Sequence, residues 1–566
     1  MKNYLISIIL VLFLVHCSQE TELGKETLGE FAPADAYEEG SKHPYYGSEN
    51  EWNRRFFYDH IKNWYKRRGQ RQMLDIIEGR AEDAARYCQE LLKEDPGDLE
   101  SLFNLAVAYA HLGQSEEAVK TVQKSLENGL PFARYLAGPR QILKPLTDLE
   151  KFKRIADNYD IALLHGPMLG CLTATSARFW VRTVEESEVL IQCSESEKMT
   201  NPHLSGKFMS DQQKDYTVLV DIDGLKPDTD YYYQVVIDGR VIEKTNSFHT
   251  YPNEGSEISF SVGFGGGAGY VPKNERMWRV IASHKPNAFL FMGDNVYINM
   301  PEHPTGFHDY TYYRRQARPE FRELIASTAA YAIWDDHDCS TDDVWMGPYK
   351  DKPAWKLPLF EIFRQNWNNP GYGDPEWPGC WFNFSISDVE FFMLDGRFYR
   401  TNPYLENPTM LGPNQKKWLF EQLKKSDAKI KVIASPVPWS LASKGEARDT
   451  WNGFKEERKE IFDFLATNKI NGVILLSADR HRSDAWKIDH PNIYPLYEFT
   501  SSRLTNEHFH ELMPNALFGY NEKQSFGFLT FNLAQSESNI TFQIYSIDNE
   551  LIHTFKVNLS EISYEE

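Results

Sequence analysis

Between residues 256 and 566, apolar runs repeatedly end in acidic or polar residues, and this pattern constrains the fold more than any other feature of the sequence. Buried strands of an α/β sheet read as continuous apolar runs, and ligands bind beyond the carboxyl ends of such strands, where loops converge. The pattern therefore predicts that side chains far apart in sequence meet at one edge of a sheet. Five runs behave in this way: 287–292 leading into GDNVY (293–297), 329–334 into DDHD (335–338), 391–394 into DGR (395–397), 431–434 into SP (435–436), and 473–476 into SADRH (477–481).

Three of these strand ends supply Asp294, Asp336, His337, Asp479 and His481 as candidate site residues. A single Asp after a strand is more often a helix cap or a turn residue. Carboxylates crowded at one site, however, repel one another by on the order of several kcal/mol unless cations compensate them. Asp/His sets are ligands that iron, calcium, manganese or zinc accept. We therefore expect a metal centre, with a purely structural site closed by a further protein ligand as the alternative.

The N-terminal part of this 566-residue chain contains an internal repeat. The segment GRAEDA at 79–84 recurs as GQSEEA at 113–118, an offset of 34 residues (113 − 79), which is typical of the tetratricopeptide repeat. Residues 95–98 (DPGD) break one helix, and 99–112 carry apolar residues at helical spacing. With fewer than the roughly three repeats of a free-standing array, we expect a helical spacer packed on the neighbouring domain. A docking surface for a protein partner is the alternative.

Residues 159–252 have the pattern of a β-sandwich, in which short alternating runs are separated by turn residues. The segment GLKPDTDYYY (224–233) resembles the corner of fibronectin type III domains, where a Tyr hydroxyl bonds back to the backbone. Modules of this kind position other domains, so we assign no catalysis to this one.

The chain begins with the features of a signal peptide. The apolar run 4–15 has about the length of a signal-peptide core and is short for a bilayer span. It ends at His16-Cys17, which resembles a bacterial lipobox with Cys17 as the lipidated residue. We expect an exported lipoprotein of the cell envelope, held at the membrane by its lipid anchor, with secretion, a periplasmic location or a short uncleaved signal anchor as alternatives. Residues 18–45 would form the tether.

Charge and cysteine content exclude some functions. With 61 Lys and Arg against 81 Asp and Glu, the formal net charge is −20, and no basic cluster is long enough to follow a nucleic-acid backbone. We therefore expect no nucleic-acid binding by a basic groove. No close CxxC pair is present. Buried free thiols are expected, and a disulfide between Cys171 and Cys193 is the alternative.

The C-terminal blocks together resemble the PhoD-like, or alkaline phosphatase D, branch of the metallophosphoesterase superfamily. GDNVY is similar to the family's GDxxY, WDDHD (334–338) to its DDH block and SADRH to SGDxH, with LDGRFYR (394–400) and LGPNQKKWL (411–419) in family order between them. The likeness covers the sandwich and C-terminal domain, about 400 residues. The expected fold class is multidomain: signal peptide 1–17, tether 18–45, helical repeat-like region 46–158, β-sandwich 159–252, and α/β metallophosphoesterase-like sheet sandwich 253–566.

The resemblance implies two or more metal ions. Asp294 would bridge two of them, and Tyr297 would give a phenolate to the more acidic ion, which is ferric iron in this family. Asp336 would bind the second ion, typically calcium, with manganese and zinc as alternatives. Asp479 and His481 would complete the coordination from the last strand.

It also implies hydrolysis of phosphate mono- or diesters, of small molecules or lipids, by a metal-bound hydroxide that attacks phosphorus in line. His337 would contact the phosphate and help to protonate the leaving oxygen. Arg397 and Arg480 are candidate clamps for phosphate oxygens, because Arg offers planar paired donors. Each is equally open to an interpretation as an ion-pair residue.

One position departs from the family pattern. The first strand normally leads into a Ser-Cys step whose Cys is an iron ligand, whereas this chain reads Phe264-Gly265-Gly266-Gly267. The replacement of Cys near Gly265 changes the expected iron ligand set, and the glycines would form an anion-binding nest or a plain turn. It also supports the alternative of a non-catalytic surface binding protein that keeps the fold. The costly polar groups retained at the other blocks favour an enzyme.

Overall fold

The computed structural model describes residues 69–242, 244–301, 306–340 and 342–564. The predicted signal peptide, Cys17 and the tether lie outside these ranges. Within the described ranges, no helix combines the length and apolar character needed to cross a membrane.

The described part of the repeat-like region, residues 69–156, is called the helical region below. Its helices are α1 (Gln70–Ile77), α2 (Ala81–Glu94), α3 (Leu99–His111), α4 (Ser115–Glu127), α5 (Ala133–Ala137), α6 (Arg140–Thr147) and α7 (Glu150–Ala156). Gly79 and Gly113, which open the two repeat copies, have φ of +80° and +72°. Both stand between paired helices, where glycine adopts left-handed φ without a Cβ clash. The pattern of 34 residues is therefore realised as two helix pairs, as predicted.

The β-sandwich follows directly. Its strands are β1 (Leu163–Gly170), β2 (Ser176–Thr183), β3 (Glu188–Ser194), β4 (His203–Leu204), β5 (Phe208–Met209), β6 (Thr217–Asp223), β7 (Asp230–Ile237), β8 (Arg240–Val241) and β9 (Asn246–His249). One sheet has the order β1-β2-β6, and the other is built on β3 and β7. The Tyr231 hydroxyl accepts the Lys226 N–H at 3.0 Å, which is the predicted fibronectin-like corner. Cys171 and Cys193 are free thiols.

The first sheet of the C-terminal domain consists of β10 (Phe260–Gly265), β11 (Ala288–Met292), β12 (Ala329–Ile333), β20 (Ser525–Asn532), β21 (Asn539–Ser546) and β22 (Leu551–Asn558). Their spatial order is β12-β11-β10-β20-β21-β22. The strands β10, β11 and β12 run parallel, and β20 continues the sheet antiparallel from β10.

The second sheet consists of β13 (Phe382–Ile386), β14 (Val389–Met393), β15 (Ile430–Ala434), β16 (Val473–Ser477), β17 (Ser483–Ile488), β18 (Leu496–Ser501) and β19 (Phe518–Tyr520). Its parallel part is β14-β15-β16-β18. All five apolar runs that the sequence singled out thus end at the carboxyl ends of parallel strands, and their loops lie at one edge of the two sheets.

The two sheets pack face to face with helices on both outer sides. Those helices and the shorter ones in the loops are α8 (Met277–Ser283), α9 (Phe307–Gln316), α10 (Pro319–Ser327), α11 (Asp336–Cys339), α12 (Lys356–Asn366), α13 (Gly412–Lys425) and α14 (Lys455–Thr467). Buried side chains such as Leu290 of β11 and Val432 of β15 share the core between the sheets. Outside, Trp278 of α8 packs with Phe291, and α13 and α14 cover the second sheet. This four-layer arrangement is the predicted sheet sandwich.

Replacing Tyr231 with Phe should destabilise the β-sandwich by about 1 kcal/mol, because the Lys226 amide loses its acceptor. Tyr232→Phe, a change of the same kind one residue along on the half-buried neighbouring position, is the control and should leave stability within about 0.5 kcal/mol. Differential scanning calorimetry of the two variants measures the shift. Equal melting temperatures would mean that the corner hydrogen bond adds no net stability.

Candidate metal centre

The loop after β11, residues 293–300, carries the first candidate ligands and has no regular secondary structure. Gly293 has φ of +100°, and a Cβ there would lie 2.5 Å from Cβ of Asp335. Asp294 follows with φ of +53°, a left-handed conformation that non-glycine residues rarely adopt. Such strain persists only where surrounding contacts over-determine it, and it concentrates at functional sites.

Asp338 supplies one set of those contacts. Its carboxylate accepts the backbone N–H groups of Asn295 at 3.0 Å, Val296 at 3.1 Å and Asp335 at 3.0 Å. The last residue of the DDHD block therefore ties the loop after β11 to the loop after β12. Burial raises the pKa of Asp338 to about 7, although these backbone hydrogen bonds oppose the shift.

Ligand atoms of Asp294, Asp336 and His337 all lie within 4.8 Å of one another. The Tyr297 hydroxyl donates to Oδ2 of Asp294 at 2.8 Å, while Oδ1 of Asp294 is buried and has no hydrogen-bond partner within the described ranges. Burial and the neighbouring carboxylates, Asp336 first among them, raise the pKa of Asp294 well above its ordinary value. A buried, orphaned carboxylate oxygen beside a second carboxylate and an imidazole suits a bound cation, so these residues fit a metal ion.

His337 is fixed at both ring nitrogens. Its Nδ1 lies 3.2 Å from Oδ1 of Asn299, and its Nε2 lies 2.8 Å from Oδ1 of Asp342. Its ring centroid is 4.3 Å from that of Tyr297. Because the Asp342 side chain is 49% exposed, the Nε2 side of the imidazole faces the solvent side of the site.

The loop after β16 carries Asp479 and His481, neither of which belongs to the group of ligand atoms formed by Asp294, Asp336 and His337. Asp479 and His481 have φ of +61° and +47°, so three of the predicted ligands share the rare left-handed conformation. The Asn506 side-chain amide donates to the Tyr297 hydroxyl at 2.7 Å and lies 3.2 Å from Nδ1 of His481. The structure thus joins the ends of β11, β12 and β16, as the sequence pattern predicted.

A second acidic group lies beside the first. Ligand atoms of Asp336, Asp343 and Asp449 also fall within 4.8 Å of one another. Here the chain supplies its own cation, because Nζ of Lys444 lies 3.1 Å from both Asp343 and Asp449. Burial raises the pKa of Asp449, but Arg397 and Lys444 outweigh it and hold that pKa well below its usual range.

Arg397 belongs to this charge network. It is fully buried, and its guanidinium contacts Asp335 at 2.5 Å, Asp449 at 2.9 Å and the Val344 carbonyl at 3.1 Å. Its Nη2 also lies 3.7 Å from Asp336. The structure therefore places Arg397 as the counter-ion of buried carboxylates, which is the ion-pair alternative of the sequence analysis, and not as an open phosphate clamp.

Arg480 is placed differently. It is 5% exposed, and Nη1 lies 3.3 Å from Oδ2 of Asp479. Its Nε has no hydrogen-bond partner among the described residues. A buried guanidinium with an unused donor beside the carboxylate cluster keeps the predicted role of an anion-binding group open to it.

Several polar residues of the site were not predicted. Asn506, His508 and His510 follow β18, and the His481 ring lies 5.1 Å from that of His508 and 5.5 Å from that of His510. Burial and Arg480 lower the pKa of His510 to about 3. The run NEHFHE (506–511) begins five positions after β18 ends at Ser501 (506 − 501), whereas the polar residues of the five runs used above follow their strands directly, so the strand-end pattern did not single it out.

The glycine turn after β10 forms neither an anion nest nor an open loop. The Gly266 N–H donates to the Ser501 carbonyl at 3.1 Å, and the Gly267 N–H donates to the Gly293 carbonyl at 3.3 Å. A Cβ at Gly265 would lie 2.8 Å from Cδ2 of Leu504, and one at Gly266 would lie 2.7 Å from Cβ of Ala478. Neighbouring side chains therefore fill the space that a Cys ligand would need.

Three family models match separate parts of the chain. Residues 263–536 match the model of the PhoD-like phosphatase family. Residues 160–254 match a domain of unknown function, DUF7800, and residues 75–137 match the tetratricopeptide repeat. The curated alkaline phosphatase D of Bacillus subtilis (strain 168) is 24% identical over 353 residues, covering 54% of this chain and 59% of that protein. The chain thus matches about three fifths of that relative's length.

Two solved structures have the same fold. One, described as the structure of PhoD, has 16% sequence identity and a TM-score of 0.58, and the match covers 70% of this chain and 90% of that chain. The other is purple acid phosphatase PPD1 from yellow lupin (Lupinus luteus) seeds, at 12% identity and a TM-score of 0.53, covering 70% of this chain and 75% of that one. At these identities the likeness establishes the fold, and it confirms the predicted multidomain fold class.

Replacing Asp338 with Asn should change how the stability of metal-free protein depends on pH. The carboxyl has a pKa of about 7 when folded and about 3.9 in an unfolded chain. As the pH rises, the unfolded chain therefore loses this proton at a lower pH than the folded protein does. The wild type should therefore lose roughly 2–3 kcal/mol relative to the variant as the pH rises from about 5 to about 8. Thermal unfolding in EDTA across this range measures the difference.

The exposed Asp427 is the matched control, since Asp427→Asn removes a carboxylate that is not buried and should reproduce the wild-type pH dependence. If Asp338→Asn also follows the wild type, the buried carboxyl at position 338 does not hold its proton above pH 5.

Proposed function

We propose that this chain, which carries a PhoD-like phosphatase domain at residues 263–536, is a metal-dependent hydrolase of phosphate esters. The observation that carries the proposal is the convergence of Asp294, Asp336 and His337 from two strand ends, with a buried carboxylate oxygen of Asp294 left unpaired. Metal ions bound there would supply Lewis acidity, lowering the pKa of a bound water and neutralising charge on phosphate oxygens.

In this proposal Asp294, Tyr297, Asp336, Asp479 and His481 hold the metal ions. The Tyr297 hydroxyl donates to Oδ2 of Asp294 at 2.8 Å, and the Asn506 amide donates to the same hydroxyl. Iron and calcium are the ions that the family resemblance suggests, with manganese and zinc as alternatives. The closed space at Gly265 and Gly266 means that the iron site would lack a thiolate from this strand.

The remaining roles fall to His337 and Arg480. His337 would give a proton to the leaving oxygen, because its Nε2 faces the solvent side of the site, where an ester group would leave. Arg480 would bind phosphate oxygens with its unused Nε donor and its Nη groups. Arg397 would act indirectly, by balancing the charge of Asp335, Asp336 and Asp449.

We further propose that the enzyme works outside the cytoplasm, anchored through Cys17, on small-molecule or lipid phosphate esters. The sequence of the N-terminus supports this placement. The overall charge of −20 argues against a nucleic-acid substrate bound in a basic groove. A non-catalytic surface protein is the competing function, and the filled space at Gly266 is the observation in its favour.

Purified protein should contain bound metal and hydrolyse p-nitrophenyl phosphate or bis(p-nitrophenyl) phosphate. Asp294→Asn should lower kcat/KM by at least about 100-fold and reduce metal content, because it removes the carboxylate that faces both Asp336 and Tyr297. The control is Asp427→Asn, an exposed carboxylate in the loop before β15, at the opposite end of the strand from the site. Elemental analysis and steady-state kinetics give the two readouts.

Absence of both bound metal and turnover, with every ion supplied, would leave the binding-protein function. Metal binding without turnover would mean that the metal site is correct and that the assigned reaction is wrong.

Replacing Arg480 with Lys should raise KM for the ester about tenfold with a smaller change in kcat, because an ammonium group cannot present the paired planar donors of guanidinium. Competitive inhibition by inorganic phosphate should weaken by a similar factor. An unchanged inhibition constant would remove Arg480 from the phosphate-binding group.

A further inference from the structure

We propose that the helical region is a working part of the active site, and that Gln70 is a positioning residue for Tyr297. This inference rests on the proposed function for its kinetic consequence. Its structural consequence, that the helical region holds residues 293–300 in place, is independent of any activity.

The most direct contact joins Gln70, the first residue of α1, to residues 293–300, which are called the metal-site loop below. Gln70 is fully buried, and its Nε2 donates to the Tyr297 carbonyl at 2.6 Å and to Oγ1 of Thr311 at 2.9 Å. One side chain therefore ties α1 at once to the loop and to α9. A buried backbone carbonyl needs a hydrogen-bond donor, and here the donor comes from a different domain.

Apolar packing also connects α1 with the metal-site loop and with α9. Leu74 of α1 forms a fully buried cluster with Met300 at the end of the loop and with Phe307 at the start of α9. Gly69, just before α1, has φ of +79°, and a Cβ there would lie 1.8 Å from the Tyr310 hydroxyl oxygen. The entry into α1 is thus shaped to fit against α9, with no room for a side chain.

The surface that α3 presents is covered by α9, through Tyr310. The Tyr310 ring stacks on Phe103 at 6.0 Å, and its hydroxyl donates to Glu100 and accepts from Asn104. Glu100 is 3% exposed and is paired with Arg134 at 3.1 Å. Glu100 is thus neutralised within the helical region and also accepts a hydrogen bond from the Tyr310 hydroxyl of another domain. A buried polar contact of this kind favours one docking geometry over others.

The other side of α9 reaches the metal-site loop. Arg315, also buried, donates from Nη1 to the Asn295 carbonyl at 2.6 Å and from Nη2 to Oγ1 of Thr505 at 3.3 Å. Glu275 fixes its guanidinium through contacts of 3.1 Å and 2.8 Å. Thr505 directly precedes Asn506, whose amide donates to the Tyr297 hydroxyl. Helix α9, which the helical region holds, therefore also supports Tyr297 through Asn295 and through the Thr505–Asn506 segment.

These contacts account for how the loop keeps its conformation. Asp294 and Asn299 both have positive φ, at +53° and +59°, and the loop has no regular secondary structure. Conformations of this kind persist only when their surroundings fix them. Gln70, Leu74 and α9 supply that constraint, so loosening them should displace Tyr297 and Asp294 without touching either residue.

Gln70→Met tests the proposal, because it keeps the length of the side chain and removes its donor. The matched control is Gln72→Met on the same helix, since Gln72 is 2% exposed and its side-chain Oε1 has no hydrogen-bond partner among the described residues. Hydrogen exchange followed by mass spectrometry on peptides covering 289–301 reads the loop directly. We expect about tenfold faster exchange in Gln70→Met and wild-type exchange in Gln72→Met.

With p-nitrophenyl phosphate as the probe, Gln70→Met should lower kcat about tenfold or more, because small misplacement of reacting groups is costly, while KM changes by less than about threefold. Gln70→Glu, which keeps the shape of the side chain, should behave in the same way and serves if the Met variant does not fold.

Wild-type exchange in the loop of both Gln70 variants, or faster exchange to the same extent in Gln72→Met, would overturn the proposal. If the wild-type protein has no turnover, the proposed function fails, but the exchange experiment still decides whether the helical region holds the loop.

Discussion

The structure depends on burying several carboxylates at one edge of two sheets, and on the cations that make this tolerable. Ionised carboxylates in a low-dielectric interior are unfavourable unless each is paired or hydrogen-bonded. The chain meets this requirement in two ways. Around Asp449, Arg397 and Lys444 provide the charge from within the protein. Around Asp294, whose pKa is raised and whose Oδ1 has no hydrogen-bond partner among the described residues, the proposed metal ion would provide the balance.

This division explains why neighbouring acidic residues have different roles. Asp338 accepts three backbone N–H groups and acts as an anchor for the loops, while ligand atoms of Asp294 and Asp336 lie within 4.8 Å of each other. Arg397 was a candidate for phosphate binding, yet its burial requires that its donors be used by carboxylates. Of the two candidate arginines, Arg480 is the one whose Nε has no hydrogen-bond partner among the described residues.

Much of the candidate site was predictable because strand ends of parallel sheets have a fixed geometry. The alternation of apolar runs with acidic residues is enough to predict that Asp294, Asp336 and His337 lie together. Asn506 was not found, since an amide in a loop carries no signal until its partners are known. Lys444 lies far along the chain from Asp343, and only packing brings them to 3.1 Å. The missing Cys was visible in sequence, but the filling of its space by Leu504 and Ala478 was not.

By itself the sequence determined the order of domains, five parallel strands of the two sheets and the identity of the residues at the carboxyl ends of those five strands. These follow from local periodicity, which depends on neighbours within a few positions along the chain. Only the tertiary structure decided which acidic residues are neutralised by the protein and which are left for an ion, and that the helical region reaches Tyr297 through Gln70. Those outcomes depend on contacts between residues far apart in sequence, 62 positions for Arg397 and Asp335 (397 − 335) and 227 for Tyr297 and Gln70 (297 − 70), and no local pattern encodes such contacts.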